Sequence, residues 1–311
     1  ESVGDAPMFG AACDGDGDRN MVLGRHFFVS PSDSVAVIAH HAAHIPMFAG
    51  ARGLVSVARS MPTSAALDGV ARAKGVQHLF ETPTGWKFFC SAMDSAEVGG
   101  GEDYTPLLCG EESFGTGSSH IREKDGLWAI LAWLSILAGE NKAVLGGAEG
   151  PLRGVRDIVC GFWGVYGRAF YTRYDYEGVS SDAAATVMEQ LHAKIAAFAA
   201  GGAQPEQLSP HCTLSGADEF NYTDPVDGST ATGQGLRFFF SDGSRVVFRL
   251  SGTGSVGATI RMYIEKYVEP SAGEAALAAS TDSVVGELVK VALQLSSIPQ
   301  HTGMAAPSVI T

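Results

Sequence analysis

The chain has 311 residues with 34 acidic and 21 basic side chains, giving a formal net charge of −13. At roughly 150 residues per domain this fits about two domains, and an apolar fraction of 45% excludes a disordered chain. The acid excess argues against nucleic acid as a partner, because phosphate backbones need a basic footprint, whereas a few local arginines can still hold a small phosphorylated molecule.

Residues 7–13 and 21–23 read as strands around a polar loop at 14–20. Ser30-Pro31-Ser32-Asp33 is a capping cluster that opens a helix over 31–48. A short strand at 54–57, a helix over 64–74 capped by Thr63 or Ser64, and a strand at 76–81 follow. This alternation predicts an α/β layer domain. Residues 126–139 form the strongest helix, apolar nearly all round and therefore expected to be buried. The glycine-rich stretch 146–154 is the expected domain boundary. Beyond it, 181–200 reads as an Ala-rich amphipathic helix closed by Gly201-Gly202. Residues 236–240 and 245–250 read as a hairpin around Asp242-Gly243, 259–267 alternates with strand period, and 282–295 is a last helix. The second half is therefore expected to be α+β with an antiparallel sheet.

The longest apolar run, 127–138, is too short to span a bilayer, so no membrane role is expected. No signal or transit peptide opens the chain; it starts on Glu1 with a strand close behind, which reads as a chain with its front removed. The five cysteines are irregularly spaced and suggest neither a disulfide framework nor a zinc site, so reduced thiols and a cytoplasmic location are expected. His40, His41 and His44 have helical spacing but no fourth ligand nearby in sequence, and they read as a helix face rather than a metal site.

Three segments carry chemistry. Asp14-Gly15-Asp16-Gly17-Asp18-Arg19-Asn20 alternates carboxylates with glycines, so the backbone can curl and aim three oxygens at one hard cation. The bland alternative is an acidic solvated turn. An EF-hand does not fit: Arg19 and Arg25 stand where that loop requires Gly and Glu, and the flanks are strand-like. Mg²⁺ with open positions for a phosphate is the better reading. Near the end, Arg249-Leu250-Ser251-Gly252-Thr253-Gly254-Ser255-Val256-Gly257 contains Gly-x-Gly-x-x-Gly, yet a strand pattern follows where a dinucleotide fold needs a helix. Its amides, Ser251, Thr253, Arg249 and Arg261 suit a phosphate dianion held from several sides; a glycine-rich turn with snorkelling arginines is the alternative. In the middle, Glu111 and Ser113 within Gly110-Glu111-Glu112-Ser113-Phe114-Gly115 are acceptors suited to vicinal sugar hydroxyls, with His120 and Lys124 shortly after. A helix-capping and surface charge set is the alternative there. Thr82-Pro83-Thr84-Gly85-Trp86-Lys87 is one more turn able to approach a ligand.

Taken together these segments resemble the phosphoglucomutases of the α-D-phosphohexomutase superfamily over nearly the whole chain. The resemblance rests on Cys-Asp-Gly-Asp-Gly-Asp-Arg-Asn-Met at 13–21, Ala-Arg-Ser-Met-Pro-Thr-Ser at 58–64, Glu-Thr-Pro-Thr-Gly-Trp-Lys-Phe-Phe at 81–89 and Cys-Gly-Glu-Glu-Ser-Phe-Gly-Thr-Gly-Ser at 109–118. It continues in Ile-Arg-Glu-Lys-Asp-Gly-Leu-Trp-Ala at 121–129, Asp-Pro-Val-Asp-Gly-Ser at 224–229, Phe-Arg-Leu-Ser-Gly-Thr-Gly-Ser at 248–255 and the closing Ala-Pro-Ser-Val-Ile-Thr.

The resemblance implies a layered mixed-sheet α/β region of the phosphohexomutase type followed by an α+β C-terminal domain. Residues 1–31 would end the family's second domain, 32–156 would be the third and 157–311 the fourth. Asp14, Asp16 and Asp18 would hold Mg²⁺. Arg19, Lys124 and His120 would form the catalytic set, Arg19 supporting the phosphoryl group and Lys124 helping proton transfer. Thr84, Gly85, Glu111, Ser113 and Lys124 would bind the sugar, and Arg249, Ser251, Gly252, Thr253 and Arg261 the phosphate that is not reacting. The implied reaction interconverts glucose 1-phosphate and glucose 6-phosphate through an enzyme phosphoserine and glucose 1,6-bisphosphate. The implied partners are sugar phosphates and the missing N-terminal domains of the same chain.

Departures from the family pattern are as informative. Its Thr-Ala-Ser-His-Asn-Pro-type phosphoserine loop is absent, so these residues alone are expected to be inactive. Ser119 stands where many relatives have Asp, and 98–105 reads as an insertion. The rival expectations are a non-catalytic scaffold or secretion-linked phosphoprotein that keeps the sugar-phosphate cleft, and, less well supported, a metal-binding sensor.

Overall fold

The computed structural model describes residues 6–98, 101–254 and 257–311, with the side chains of Thr253 and Gly254 outside the description. The chain folds as two compact units. The first takes the residues up to 168 together with 223–229 and 269–277; the second takes 169–222, 230–268 and 278–311.

The first unit opens with an antiparallel meander of β1 (Phe9–Cys13), β2 (Asn20–Gly24) and β3 (Phe27–Val29). Cys13 and Asn20 are register partners, so the acidic stretch is the loop of the β1–β2 hairpin. Helix α1 (Pro31–His40) starts as expected: the Ser30 hydroxyl accepts from the Asp33 amide at 3.1 Å, and Pro31 stands where an N–H would have no helical partner. It does not run to 48. It stops at His40, and two separate 3-10 turns follow, because Pro46 has no amide hydrogen and holds Ile45 extended.

A four-stranded sheet in the order β5-β4-β6-β7 comes next, made of β4 (Ser56–Ser60), β5 (His78–Thr82), β6 (Leu107–Gly110) and β7 (Thr116–Ser118). β4 runs parallel to β5 and β6, while β7 returns antiparallel to β6. The crossovers carry α2 (Ala66–Lys74), α3 (Lys87–Met93) and the short α4 (Ser95–Val98). β4 is buried along its whole length and extends past the expected 57, because Arg59 is neutralised inside by Asp68 and Glu81. The α2 cap also differs from expectation. Thr63 Oγ1 pairs with Ser60 and Glu112 instead, and the helix begins at Ala66 with only a 3.3 Å hydrogen bond from its amide to Ser64.

Helix α5 (Gly126–Glu140) is not buried all round. Ala129, Ala132, Trp133 and Ile136 face the core, and Trp133 Nε1 donates to Ser34 of α1, but Leu127 and Leu131 are 65% and 61% exposed. The glycine-rich stretch 146–154 comes next. It links α6 (Lys142–Leu145) to α7 (Val155–Tyr166), which packs on α1, α2 and the returning segment with its 3-10 turn and α9 (Glu274–Leu277). The two compact units part at Arg168/Ala169. All five cysteines are free.

The second unit is a seven-stranded sheet covered by helices. β8 (Arg168–Val179), β9 (Glu206–Ser209) and β10 (Cys212–Glu219) are joined by β13 (Leu236–Phe240), β14 (Arg245–Gly254), β15 (Gly257–Val268) and β16 (Val309–Ile310), in the order β16-β8-β15-β14-β13-β10-β9. A two-strand ladder, β11 (Tyr222–Thr223) with β12 (Thr230–Ala231), lies between β10 and β13 in sequence. The β10–β13, β13–β14 and β14–β15 ladders are antiparallel, as expected for an α+β unit. Helices α8 (Ser181–Ala200) and α10 (Thr281–Ser296) pack on the sheet, and a short α11 (Ile298–Thr302) follows. Phe170, Val187, Leu191, Phe238, Phe248 and Ile264 lie at the centre of this core.

Candidate active site

In the first unit the acidic loop, the 111–115 turn and the start of α5 are hydrogen-bonded into one assembly. The loop turns tightly at Gly17, whose amide donates to the Asp14 carbonyl at 3.1 Å and whose φ of 78° favours glycine. One carboxylate oxygen from each of Asp14, Asp16 and Asp18 lies within 4.8 Å of the others. Arg19 grips the same loop: its amide donates to Asp14 Oδ1 at 3.1 Å and its Nε to Asp14 Oδ2 at 2.6 Å. The Arg19 amide, then its guanidinium, hold the Asp14 carboxyl below its ordinary range. Lys124 Nζ reaches Asp18 Oδ2 at 2.9 Å. Partial burial works against the lysine's charge, but Asp18 and Glu111 outweigh it and push Lys124 up.

These residues fit a hard divalent cation. Three converging carboxylates are the oxygen donor set such an ion takes. Asp18 Oδ1 is in addition buried without a hydrogen-bond partner among the described residues, with the Arg19 Nε 3.4 Å away as an ion-pair partner.

The remaining predicted groups in this unit arrive from neighbouring strand ends. The Asn20 amide and side chain both donate to the Phe114 carbonyl, at 3.0 and 3.1 Å, and Arg19 bridges Gly115. This docks the 111–115 turn beside the acidic loop. Phe114 takes a left-handed φ of 71°, which turns the chain back so that the Glu111 amide meets the Gly115 carbonyl at 2.8 Å. Glu111 Oε1 accepts from the Gly85 amide at 3.2 Å, bringing the 83–86 turn to the same place. Burial and the neighbouring Glu112 charge push the Glu111 carboxyl up. Thr84 stands half-buried beside Gly85. Glu112 points elsewhere, accepting from Ser60 and Thr63.

His120 is engaged with helix α5: its Nε2 lies 2.9 Å from Asp125 Oδ2 and its ring stacks on Trp128. Asp125 caps α5 by accepting from the Trp128 amide at 2.8 Å. Burial opposes its ionisation, but His120 and that amide prevail and lower it. Sequence reading missed Asn20, Phe114, Asp125 and Gly126 as site supports. The Asp-Gly-Leu sequence before an apolar run signalled the cap. A cavity of about 320 Å³ opens against Cys13, Asp14, Arg19, Asn20 and Phe114.

In the second unit, Arg249 and Arg261 are register partners on β14 and β15, and so are Ser251 and Thr259. Residues two apart on a strand share a face, so this set lies together. Like charges directly opposite are unfavourable in a bare sheet and suit a bound dianion. Gly252, with φ of 67°, sits where the register shifts between Ser251 and Thr253. Arg249 Nε donates to the Gln234 carbonyl at 3.1 Å, and Arg261 Nε lies 3.8 Å from Asp175. A strand follows the glycines, which excludes a dinucleotide-binding unit here. The expected role of the Thr253 side chain falls outside the described residues.

The chain thus combines a layered α/β unit carrying an acidic loop with a helix-covered antiparallel sheet carrying a paired-arginine hairpin. Family models for the phosphoglucomutase/phosphomannomutase alpha/beta/alpha domain III and for the phosphoglucomutase-1 C-terminal domain match residues 31–148 and 168–308. The chain belongs to the phosphoglucomutase/phosphomannomutase family, within the phosphohexomutase superfamily. Its relatives include the cytoplasmic phosphoglucomutase of Bromus inermis, 54% identical over 98% of this chain and 50% of the relative. Phosphoglucomutase-1 of Paramecium tetraurelia is 50% identical over 100% of this chain and 49% of the relative. The solved open form of the Paramecium exocytosis-sensitive phosphoprotein pp63/parafusin, a phosphoglucomutase, superposes with a TM-score of 0.83 at 50% identity, covering 100% of this chain and 49% of that one. The chain thus spans about half the length of the curated relatives it matches.

Proposed function

We propose that this chain provides the cation loop, the sugar-reading turns and the distal phosphate hairpin of a cytoplasmic phosphoglucomutase. That enzyme interconverts glucose 1-phosphate and glucose 6-phosphate through a phosphoserine and glucose 1,6-bisphosphate. The observation that carries this reading is the convergence of Asp14, Asp16 and Asp18 with Arg19 and Lys124 beside the Glu111–Gly85 contact. Mg²⁺ held by the three aspartates would supply charge neutralisation at a transferring phosphoryl group. Arg19, anchored by Asp14, presents its guanidinium to the phosphoryl oxygens. Lys124 lies between the carboxylates and Glu111, placed to move a proton to or from the reacting sugar hydroxyl. Glu111, Ser113 and the 84–85 turn orient the ring. In the second unit, Arg249, Ser251, Gly252, Thr253 and Arg261 offer guanidinium, hydroxyl and amide groups to a phosphate that is not reacting. His120 acts by fixing Asp125 and the start of α5.

No Thr-Ala-Ser-His-Asn-Pro-type loop occurs in the 311 residues, so the phosphoryl carrier of the cycle is not among them. The purified chain is expected to bind glucose 1,6-bisphosphate in the presence of Mg²⁺ and to show no turnover of glucose 1-phosphate in a coupled assay. Turnover would overturn the need for the serine loop. Unchanged bisphosphate affinity in Arg249→Ala would remove the hairpin from the reading.

A second reading is favoured by one observation: the solved Paramecium relative is described as an exocytosis-sensitive phosphoprotein as well as a phosphoglucomutase. On that reading the sugar-phosphate site serves a scaffold. Joining this chain to a relative's phosphoserine-bearing half separates the two, because restored turnover supports the enzyme and binding without turnover supports the scaffold.

A further inference from the structure

Away from the acidic loop, at the opposite end of α5, His41, His44 and Glu140 bring one ligand atom each to within 4.8 Å of one another. His41 Nδ1 is 3.2 Å from Glu140 Oε1, and His44 Nε2 is 3.3 Å from the same oxygen. For metal–nitrogen and metal–oxygen bonds of about 2.0–2.1 Å, the edge of a coordination tetrahedron is about 3.3–3.4 Å. The two measured edges match that figure.

The surroundings hold the group in place. The His41 and His44 rings lie nearly parallel, 22° apart with centroids at 5.9 Å. His44 lies against Gly139 of α5, where an added Cβ would come within 2.4 Å of its ring atoms and push the imidazole from its present place. Arg153 pairs with the other Glu140 oxygen, Oε2, which fixes the carboxylate and leaves Oε1 to the histidines. Arg153 is itself anchored: its amide and carbonyl both bond the Asn141 side chain, at 2.7 and 2.9 Å. His40 takes no part and meets the Tyr166 hydroxyl at 2.8 Å instead.

We infer that His41, His44 and Glu140 form a second cation site, selective for a borderline transition metal such as Zn²⁺, with a fourth position open to water. Two imidazoles and one carboxylate favour Zn²⁺ over Mg²⁺, which prefers an all-oxygen shell. Helix α5 has 15 residues and at 1.5 Å per residue is about 22 Å long, so this site is separate from the Asp14–Asp18 loop at the helix's other end. A bound ion would clip the 3-10 turn after α1 to the end of α5.

Co²⁺ titration of the 311-residue chain tests this. The expected result is one intense tetrahedral visible absorption spectrum that Zn²⁺ displaces and that Asp16→Asn leaves unchanged. In His44→Ala and in Glu140→Gln the spectrum should vanish, and Zn²⁺ affinity should fall by more than the roughly 10- to 100-fold typical of losing an outer-shell partner. Melting in chelator shows which variants remain folded, and the two substitutions provide independent readouts. A weak octahedral spectrum, one that survives both substitutions, or one lost in Asp16→Asn would overturn the site.

Discussion

The Lys124 side chain crosses the face of Gly115 on its way to Asp18, which it meets at 2.9 Å. A Cβ on residue 115 would lie 2.5 Å from Lys124 Cδ and 3.1 Å from Glu111 Oε2. The glycine of the 111–115 turn therefore sets the path of the lysine into the acidic loop. Gly115→Ala is expected to displace Lys124 and weaken Mg²⁺-dependent bisphosphate binding by about 10- to 150-fold, the effect of one lost charge-assisted hydrogen bond of about 1.5–3 kcal/mol. Calorimetry on Gly115→Ala, Lys124→Ala and the double variant checks this. The two effects should not add, and additivity would show that the substitutions act independently.

Gly126 offers a test whose sign decides. In an ordinary exposed helix, Gly→Ala stabilises by about 0.8–1 kcal/mol. Here the added Cβ would stand 2.7 Å from the Arg19 and Gly17 carbonyl oxygens and 2.9 Å from Cys13 Sγ, against backbone that cannot give way cheaply. Gly126→Ala is expected to destabilise by about 1–3 kcal/mol in urea titrations. Mg²⁺ is expected to raise the melting temperature of the unsubstituted chain, an increase that Gly126→Ala should reduce and that chelation or Asp16→Asn should abolish.

Arg59 is buried on the central parallel strand, with Nε and Nη2 on Asp68 at 2.5 and 2.7 Å and Nη1 on Glu81 at 3.0 Å. Removing the cation strands two carboxylates, so Arg59→Ala should cost about 3–5 kcal/mol. Lysine should rescue little, because it cannot span the same fork. Chemical denaturation of both variants measures this, and a loss below 1 kcal/mol would show that water replaces the pair.

Glu111 carries the pH dependence. Burial and Glu112 raise its carboxyl in the folded chain, so the folded state holds that proton more tightly than the unfolded state does. Its contribution to stability is complete below the ordinary carboxylate range and is lost as pH rises through the raised value. Glu111→Gln, which removes the charge, should therefore be more stable than the parent near pH 7 and equal to it near pH 4. It should also lose sugar-phosphate binding. A stability difference independent of pH would assign the effect to packing instead.

What could be read from the sequence was what is local. The acidic loop, the hairpin at 236–250, the strand after the phosphate glycines and the long helix at Ser181–Ala200 all announce themselves within a few residues. The His41–His44–Glu140 cluster does not, because its carboxylate comes from 96 residues beyond His44. Leu127 and Leu131 gave no hint of exposure, since an apolar residue carries no mark of which helix face meets the core. The packing of α7 on α1 and α2 leaves no mark in the spacing of the glycines at 146–154 that precede it. Ionic partners of Arg59 and the docking of Phe114 on Asn20 depend on strand order, which pairwise spacing does not reveal.

The first unit takes back two short segments after the chain has left it, and one of them makes the Asp224 carboxylate the acceptor for Ser91 Oγ at 2.8 Å. Scission at residue 168 would thus leave the first unit incomplete, with two of its segments still on the downstream piece. The upstream piece would lack both Asp224 and the 270–277 support beneath α7, so these two folds cannot be exchanged between proteins by a single crossover.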